Sequence, residues 1–287
     1  MLTKLNSKIT EAAIKYFIAQ AIASLILICR IIFNYEVYER INIESIEYIV
    51  TIAMLIKAGI APFHFWFPQV INNSEWTQCI ILLTWQKVAP FILLTSLNLH
   101  IIIASSVVSA IVGCIGGFNQ IKIKIILTYS SIAHSAWIIR ACLISNLTWI
   151  TYFLIYRVIS FSVIRFFKKS NIRENLNEIN LWPVSNVLKI LLILNIISLG
   201  GLPPLLGFLG KLIIINIMIN TNIIFYIIVL ILRSLISLYF YCHMIYTATL
   251  FKSLKIFIKS DKTITENFLP IATVSFNVII PVVVILT

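Results

Sequence analysis

The chain has 287 residues, of which 60% are hydrophobic and 11% are charged, and its mean hydropathy is +1.02. Soluble domains carry about 25% charged residues, so this composition excludes a soluble enzyme or binding module and predicts a membrane protein. The net charge of +12 does not indicate a nucleic-acid partner, because the basic residues fall in short loops between apolar stretches. The five cysteines are scattered without the spacing of a metal site or a disulfide framework.

About nine apolar stretches follow one another, each near the roughly 20 residues that a spanning helix needs. Lipid offers no partner to unpaired backbone groups, which favours helices, and the alternating ten-residue pattern of a β-barrel is missing. The sequence therefore predicts an all-α polytopic membrane helix bundle, with residues 1–287 forming a single transmembrane domain. The predicted spans are 10–33, 46–67, 78–99, 100–118, 123–144, 147–167, 186–216, 221–247 and 268–286.

Two of these stretches are interrupted by proline, and a lysine lies close to each interruption. Lys57 precedes Pro62 in the second stretch, and Lys211 follows the segment Gly200-Gly201-Leu202-Pro203-Pro204 in the seventh. Proline removes a helical hydrogen bond, and the carbonyl groups that it frees admit water beside the lysine. A pair of interrupted helices at corresponding places in two halves is typical of a transporter's ion pathway.

The basic residues also predict the orientation of the chain. With nine spans the termini lie on opposite sides, and most lysines fall in the loops on the side of the N-terminus. The positive-inside rule then places the N-terminus in the matrix or cytoplasm and the C-terminus in the opposite compartment. The basic residues on the N-terminal side are Lys4, Lys8, Lys122, Lys124, Lys168, Lys169, Arg173, Lys252, Lys255, Lys259 and Lys262, and those on the other side are Arg30, Arg40 and Arg140.

Three lysines fall inside predicted spans. Lys57 and Lys87 lie near the middle of theirs, too deep to reach the membrane surface easily, whereas the depth of Lys211 is open. A lysine at mid-bilayer costs about 3 kcal/mol on insertion scales and usually lines a polar pathway. Because burial favours the neutral amine, such a lysine is able to load and release a proton.

Other polar residues within the spans are weaker candidates. His134 lies among serines, where an imidazole is able to relay protons, but a neutral histidine bonded to a helix carbonyl fits the same pattern. Arg157 and Arg233 lie unusually deep, and helix carbonyls or a neighbouring subunit are their expected partners. The small residues from Ser105 to Gly117 predict close helix packing. The sequence contains no phosphate loop, dinucleotide fingerprint, nucleophile triad or metal site, so it offers this chain no means of binding NADH or an electron carrier.

Six ordered sequence blocks resemble one family. Together they cover most of residues 10–250, and the combination is very specific. The chain is identified by them as a member of the chain 2 family of mitochondrial NADH:ubiquinone oxidoreductase, respiratory complex I. The blocks are TEAAIKYFIAQA at 10–21, KAGIAPFHFWFP at 57–68, LTWQKVAP at 83–90, GGFNQ at 116–120, YSSIAHSAW at 129–137 and SLGGLPPLLGFLGK at 198–211.

The resemblance implies an antiporter-like subunit with two discontinuous helices that couples quinone reduction to proton pumping through buried lysines. By motif, Lys57 corresponds to the lysine of the first broken helix, which pairs with a glutamate in the family. Lys87 corresponds to the central relay lysine and Lys211 to the lysine of the second broken helix. His134 corresponds to the histidine of the family's SSIAH-type block.

The resemblance also implies the surroundings of the chain. The expected location is the mitochondrial inner membrane, with the N-terminus in the matrix and the C-terminus in the intermembrane space. NADH, FMN, iron–sulfur clusters and ubiquinone belong to the whole complex, and no cofactor and no redox chemistry is expected in this chain. The expected partners are the other membrane-arm and accessory subunits and phospholipids such as cardiolipin, without nucleic acid.

This sequence departs from the family pattern in its acidic residues. The chain starts after the helix that carries the glutamate partner of Lys57, so it is expected to be N-terminally shortened, with a separate chain supplying that helix. Two other positions also differ from the family: its GFLPK block reads GFLGK here, and His243 stands where a basic residue is usual. All ten acidic residues lie at span ends or in loops: Glu11, Glu36, Glu39, Glu44, Glu47, Glu75, Glu174, Glu178, Asp261 and Glu266.

Three functional hypotheses follow from these features. The first is a proton-translocating subunit that receives its missing carboxylate from another chain. The second is a structural subunit of the same membrane arm that no longer pumps, which the retention of three costly buried lysines disfavours. The third is a subunit of a standalone cation/proton antiporter, which the lack of mid-membrane acids for cation binding disfavours.

Overall fold

All regular elements of the computed structural model, in the part of the chain that it describes, are helices. The structure describes residues 7–36, 43–97, 99–169, 186–203, 205–220 and 224–250. The predicted span at 268–286 lies outside these residues. The helices are α1 (Ser7–Glu36), α2 (Ile43–Ala58), α3 (Trp66–Asn73), α4 (Trp76–Ile80), a π-helical turn (Ile81–Trp85), α5 (Val88–Leu94), α6 (Leu99–Gly117), α7 (Ile123–Ile144), α8 (Asn146–Lys169), α9 (Asn186–Gly200), α10 (Leu206–Asn220) and α11 (Ile224–Leu250).

Five helical segments of the described residues are long and apolar enough to cross a membrane, which confirms the predicted class of polytopic membrane helix bundle. The shorter apolar helices α9 and α10 follow one another on either side of a break. The predicted number of nine spans, and the single domain over 1–287, stay predictions. The five segments are Ser7–Arg30, Trp76–Leu94, His100–Gly117, Asn146–Lys168 and Ile224–Tyr246.

Both predicted interruptions are present. The first separates α2 from α3 and begins at Gly59, whose φ is +65°. The second separates α9 from α10 and begins at Gly201, whose φ is +78°. Both φ values lie in the left-handed region that glycine adopts without steric cost, so each helix stops at the residue before such a glycine, ahead of its proline. Lys57 therefore lies in the last turn of α2.

The third predicted span, 78–99, is not the continuous helix that its hydropathy indicates. It consists of α4, the π-helical turn, two turn residues at Gln86 and Lys87, and α5. Pro90 accounts for this irregularity, because its ring lacks an N–H donor and clashes with the carbonyl four residues earlier, which belongs to Gln86. Lys87 is thereby placed at a local distortion in the middle of a span.

Helix α7 forms the centre of the bundle. It packs against α3, α5, α6, α8, α10 and α11, and every residue from 130 to 142 is buried. The predicted close packing of the small-residue helix α6 is present, since a Cβ atom at Gly113 would lie 2.6 Å from the Cβ atom of Ala133 on α7. The polar residues of α7, including His134, are therefore enclosed by protein.

Candidate functional site

Lys87 is enclosed at the distorted centre of the third span, with 1% of its side chain exposed. Its amine donates hydrogen bonds to the Ser131 carbonyl at 3.3 Å and to the Ser131 hydroxyl oxygen at 3.2 Å. The same amine lies 5.0 Å from the centroid of the Phe67 ring on α3. A carboxylate would hold the ammonium form, whereas neutral acceptors leave both protonation states accessible. This environment suits a group that takes up and releases a proton.

His134 lies one helical turn beyond Ser131 and faces two tyrosines of α8. Its Nδ1 atom is 2.9 Å from the hydroxyl oxygen of Tyr152, and its ring centroid is 4.8 Å from that of Tyr156. The imidazole also lies close to the backbone of Leu199 at the end of α9. The histidine thus has a hydroxyl partner on α8 and a backbone group of α9 nearby, and the latter is the kind of contact that the simpler interpretation predicts.

Lys211 is buried at the second break, with 5% of its side chain exposed. Its amine donates a hydrogen bond of 2.7 Å to the carbonyl of Gly200, the last residue of α9. A Cβ atom at Gly201 would lie 2.5 Å from the Lys211 amine nitrogen, so the glycine leaves room for the lysine to reach this carbonyl. The Lys211 amine is therefore enclosed by protein at the second break.

Contacts connect Lys87 to Lys211 through the centre of the bundle. Ser131, the acceptor for Lys87, and His134 lie one turn apart on the same face of α7. The Tyr156 side chain lies near Ser131 and packs its ring against His134, with 4.8 Å between the two ring centroids. The Leu199 backbone, which lies near His134, and the Gly200 carbonyl, which accepts from Lys211, belong to consecutive residues at the end of α9. We call Lys87, Ser131, Tyr156, His134 and Lys211 the buried series.

Arg233 on α11 adds a fixed positive charge beside the buried series. Only 4% of it is exposed, and it lies near both His134 and Lys211. The thiol of Cys114 donates to its carbonyl at 3.2 Å. Within the described residues, the Nε and Nη1 atoms of its guanidinium have no hydrogen-bond partner, so the helix-carbonyl partners expected for them are not present there.

The Lys57 environment differs from those of the other two lysines. The Trp66 indole donates to the Ile56 carbonyl at 3.1 Å, and the Gln20 amide donates to the Lys57 carbonyl at 3.5 Å. These side chains occupy carbonyls at the end of α2, so Lys57 does not take the capping position that Lys211 holds at the other break. The Lys57 side chain is partly exposed, and its amine has no hydrogen bond or ion pair among the described residues.

In the part of the chain that the structure describes, no carboxylate forms a salt bridge with a lysine of the buried series. The one salt bridge recorded there joins Lys15 to Glu11 at 2.6 Å, between two exposed side chains of α1. The same residues contain no group of three or more His, Cys, Asp or Glu side chains placed to hold a metal ion. The polar groups of the buried series are therefore amine, imidazole and hydroxyl groups.

Sequence reasoning did not single out Tyr152 and Tyr156. Both are buried on α8 and contact the polar face of α7, Tyr152 through the bond of its hydroxyl group to His134 and Tyr156 through its ring, which packs against the same imidazole. Their spacing of four residues places them on one helix face. That spacing signals a shared face but not what the face contacts, so only the packing of α8 on α7 reveals their part in the site.

The fold and the buried basic residues define an antiporter-like membrane helix bundle, and comparisons with known proteins agree. Residues 1–237 match the family described as NADH:quinone oxidoreductase/Mrp antiporter, TM. Proteins named NADH-ubiquinone oxidoreductase chain 2 are 36% identical in Anopheles gambiae, over 85% of this chain and 73% of that protein, and 33% identical in Ovis aries, over 100% and 87%. The chain belongs to this chain 2 family.

A solved structure shows the same fold. In respiratory complex I from Thermus thermophilus, one chain superposes with a TM-score of 0.79 at 23% sequence identity, covering 98% of this chain and 68% of that one. Such agreement at low identity shows that the two chains share the overall arrangement of their helices.

Proposed function

We propose that this chain is a proton-translocating subunit in the membrane arm of NADH:ubiquinone oxidoreductase. The observation that carries the proposal is the buried series, which joins two enclosed lysines through hydroxyl and imidazole groups without a carboxylate among the described residues. A lysine ammonium ion at mid-bilayer costs about 3 kcal/mol, so two enclosed lysines on either side of a buried histidine favour proton transfer over a purely structural role.

The proposed mechanism is electrostatic. A charge change in a neighbouring subunit alters the protonation of Lys57, and a proton then moves through water to Lys87, past His134 and towards Lys211. The amide oxygen and nitrogen of Gln86, next to Lys87, are both buried without a protein partner in the described residues. Buried amides of this kind bind ordered water, which a proton pathway needs between its side chains.

The whole complex supplies the redox chemistry in this proposal. NADH, FMN, iron–sulfur clusters and ubiquinone are held by other subunits, and this chain converts their charge changes into proton movement. The membrane is the mitochondrial inner membrane, with the N-terminus in the matrix and the C-terminus in the intermembrane space, because most loop lysines lie on the N-terminal side. Membrane-arm subunits, accessory subunits and phospholipids such as cardiolipin surround the chain.

The proposal and its alternative differ in whether Lys57 has an acidic partner. The Lys57 amine has no hydrogen bond or ion pair among the described residues. It is therefore able to pair with a glutamate, as in the family, if another chain contributes that carboxylate. In the alternative, the chain is a structural subunit of the same arm that does not pump, and Lys57 has no acidic partner.

A high-resolution structure of the assembled complex tests this difference. Pumping predicts a carboxylate within about 4–6 Å of the Lys57 amine, the range over which opposite charges strongly affect protonation. An apolar or lipid-filled surrounding at this position would favour the structural alternative.

A further inference from the structure

Two residues outside the buried series are unusual for a lipid-facing surface. Trp85 is the middle residue of the apolar span Trp76–Leu94, and Arg157 is the middle residue of the span Asn146–Lys168. The two side chains touch, since the Arg157 guanidinium carbon lies 5.6 Å from the Trp85 ring centroid. Both therefore meet at the depth where hydrocarbon is least tolerant of polar groups.

The pair reaches the molecular surface. Trp85 is 69% exposed, and Arg157 is partly exposed, with its guanidinium also 5.5 Å from the Phe153 ring. Ile81, Leu154 and Val158 are exposed apolar neighbours along the same two helices, at 56%, 52% and 44%. We call Ile81, Trp85, Leu154, Arg157 and Val158 the mid-span patch.

Lipid is an unfavourable cover for this patch. An arginine near a helix end extends its charged group to the membrane surface, but Arg157 lies roughly 16 Å along the helix from either end of its span, at 1.5 Å per residue. The guanidinium has five N–H donors and is always charged, and no described carboxylate or carbonyl accepts from it. Aromatic faces alone compensate only part of the cost of an unpaired guanidinium in hydrocarbon.

The position of Trp85 also argues against a lipid cover for the patch. Tryptophan in membrane proteins is enriched at the two membrane–water boundaries, whereas Trp85 lies between them. Tryptophan and arginine are, by contrast, the residue types enriched at the energetic centres of protein interfaces, surrounded by apolar contacts that exclude water. The mid-span patch has this composition, with one Trp–Arg pair framed by aliphatic side chains.

We infer that the mid-span patch is a docking surface for a transmembrane helix of a neighbouring subunit, and that this helix presents a carboxylate at mid-membrane depth to Arg157. Guanidinium and carboxylate groups form two parallel hydrogen bonds, which satisfies the charge where no lipid headgroup reaches it. The inference rests on the proposed function only in requiring a multi-subunit membrane arm; it does not depend on proton pumping.

Substitution of Arg157 tests the inference in the assembled complex. Arg157→Leu is expected to lower the fraction of this subunit found in the complex on native gels about tenfold or more, because it leaves the partner carboxylate buried and unpaired. Arg157→Lys is expected to restore part of that fraction. The matched control is Arg165→Leu, since Arg165 is an exposed arginine near the end of the same span, and wild-type assembly is expected for it.

A cross-linking measurement keeps the test independent of folding defects in the variants. A photoreactive residue at Leu154 in the otherwise unchanged chain is expected to cross-link to a peptide that has Asp or Glu within about one helical turn of the attachment point. Adducts with lipid only, or wild-type assembly of Arg157→Leu, would overturn the inference. If the wild-type chain itself migrates outside any complex on the native gel, that result would contradict the proposed function instead, whatever the variants do.

Discussion

The Lys211 amine donates a hydrogen bond of 2.7 Å to the carbonyl of Gly200, across the break that separates the helices bearing these two residues. The lysine thus satisfies a carbonyl that the end of α9 leaves without a helical donor. The next residue, Gly201, has a φ of +78°. This arrangement makes the break itself part of the proton pathway in the proposed function, because the backbone geometry sets where the amine lies.

Gly201→Ala is expected to disrupt the site at Lys211. The new methyl group would lie 2.5 Å from the amine nitrogen, and alanine in the left-handed region costs about 1–2 kcal/mol. We expect fewer protons translocated per electron in the reconstituted complex, together with a lower unfolding temperature. Gly200→Ala is the matched control, since its Cβ atom would meet the Tyr241 side chain at an ordinary 3.5 Å. Equal proton stoichiometry in the two variants would contradict the positional role of Gly201.

Ser131→Ala is expected to weaken the contact between Lys87 and α7 selectively. The substitution removes the hydroxyl that accepts from Lys87 and leaves the carbonyl bond in place. Ser135→Ala is the control, because Ser135 is equally buried and its hydroxyl bonds to the Ile132 carbonyl of its own helix. Each change removes one hydroxyl bond to a carbonyl of α7, worth about 1 kcal/mol, and Ser131→Ala also removes the bond from Lys87. Only Ser131→Ala is therefore expected to lower the rate of proton translocation. Identical rates for both variants would exclude a role for the Ser131 hydroxyl.

Tyr152→Phe is expected to slow proton transfer at His134. The hydroxyl lies 2.9 Å from the imidazole Nδ1 atom, and its removal leaves that buried nitrogen without this partner, which costs about 1–3 kcal/mol. Tyr239→Phe is the control, since Tyr239 is 54% exposed and its ring stacks on Phe118, a contact that phenylalanine retains. Proton translocation by the Tyr152→Phe and Tyr239→Phe complexes is compared at equal rates of NADH oxidation. A Tyr152→Phe complex with wild-type translocation would show that this hydroxyl is dispensable.

The two breaks illustrate how far the sequence predicts the site. Glycine and proline mark both interruptions correctly, because backbone conformation at these residues is a local property. The partners of the freed carbonyls are a tertiary property and differ between the breaks. Lys211 caps the second break, whereas Gln20 and Trp66 occupy carbonyls at the first. The sequence pattern presents the two lysines as equivalent, and only packing separates them.

The sequence predicts the bounds of helix α7 but not the partners of its polar residues. It was predicted at 123–144 and is present at Ile123–Ile144, although its polar residues keep it out of the segments that qualify as spans by hydropathy alone. The importance of His134 within it is predictable from residue type and depth. Its tyrosine partners on α8 are not, since aromatic residues on a membrane helix face lipid as readily as a polar core.

Proton transfer through Lys87 is tested by the proton stoichiometry of the complex that carries Lys87→Met. Methionine keeps the length and packing of the side chain but removes the amine that bonds to Ser131. With Lys168→Met, a change at an exposed lysine, as control, we expect the Lys87→Met complex to assemble, oxidise NADH and translocate fewer protons per electron than the control. An assembled Lys87→Met complex with unchanged proton stoichiometry would show that Lys87 takes no part in proton translocation.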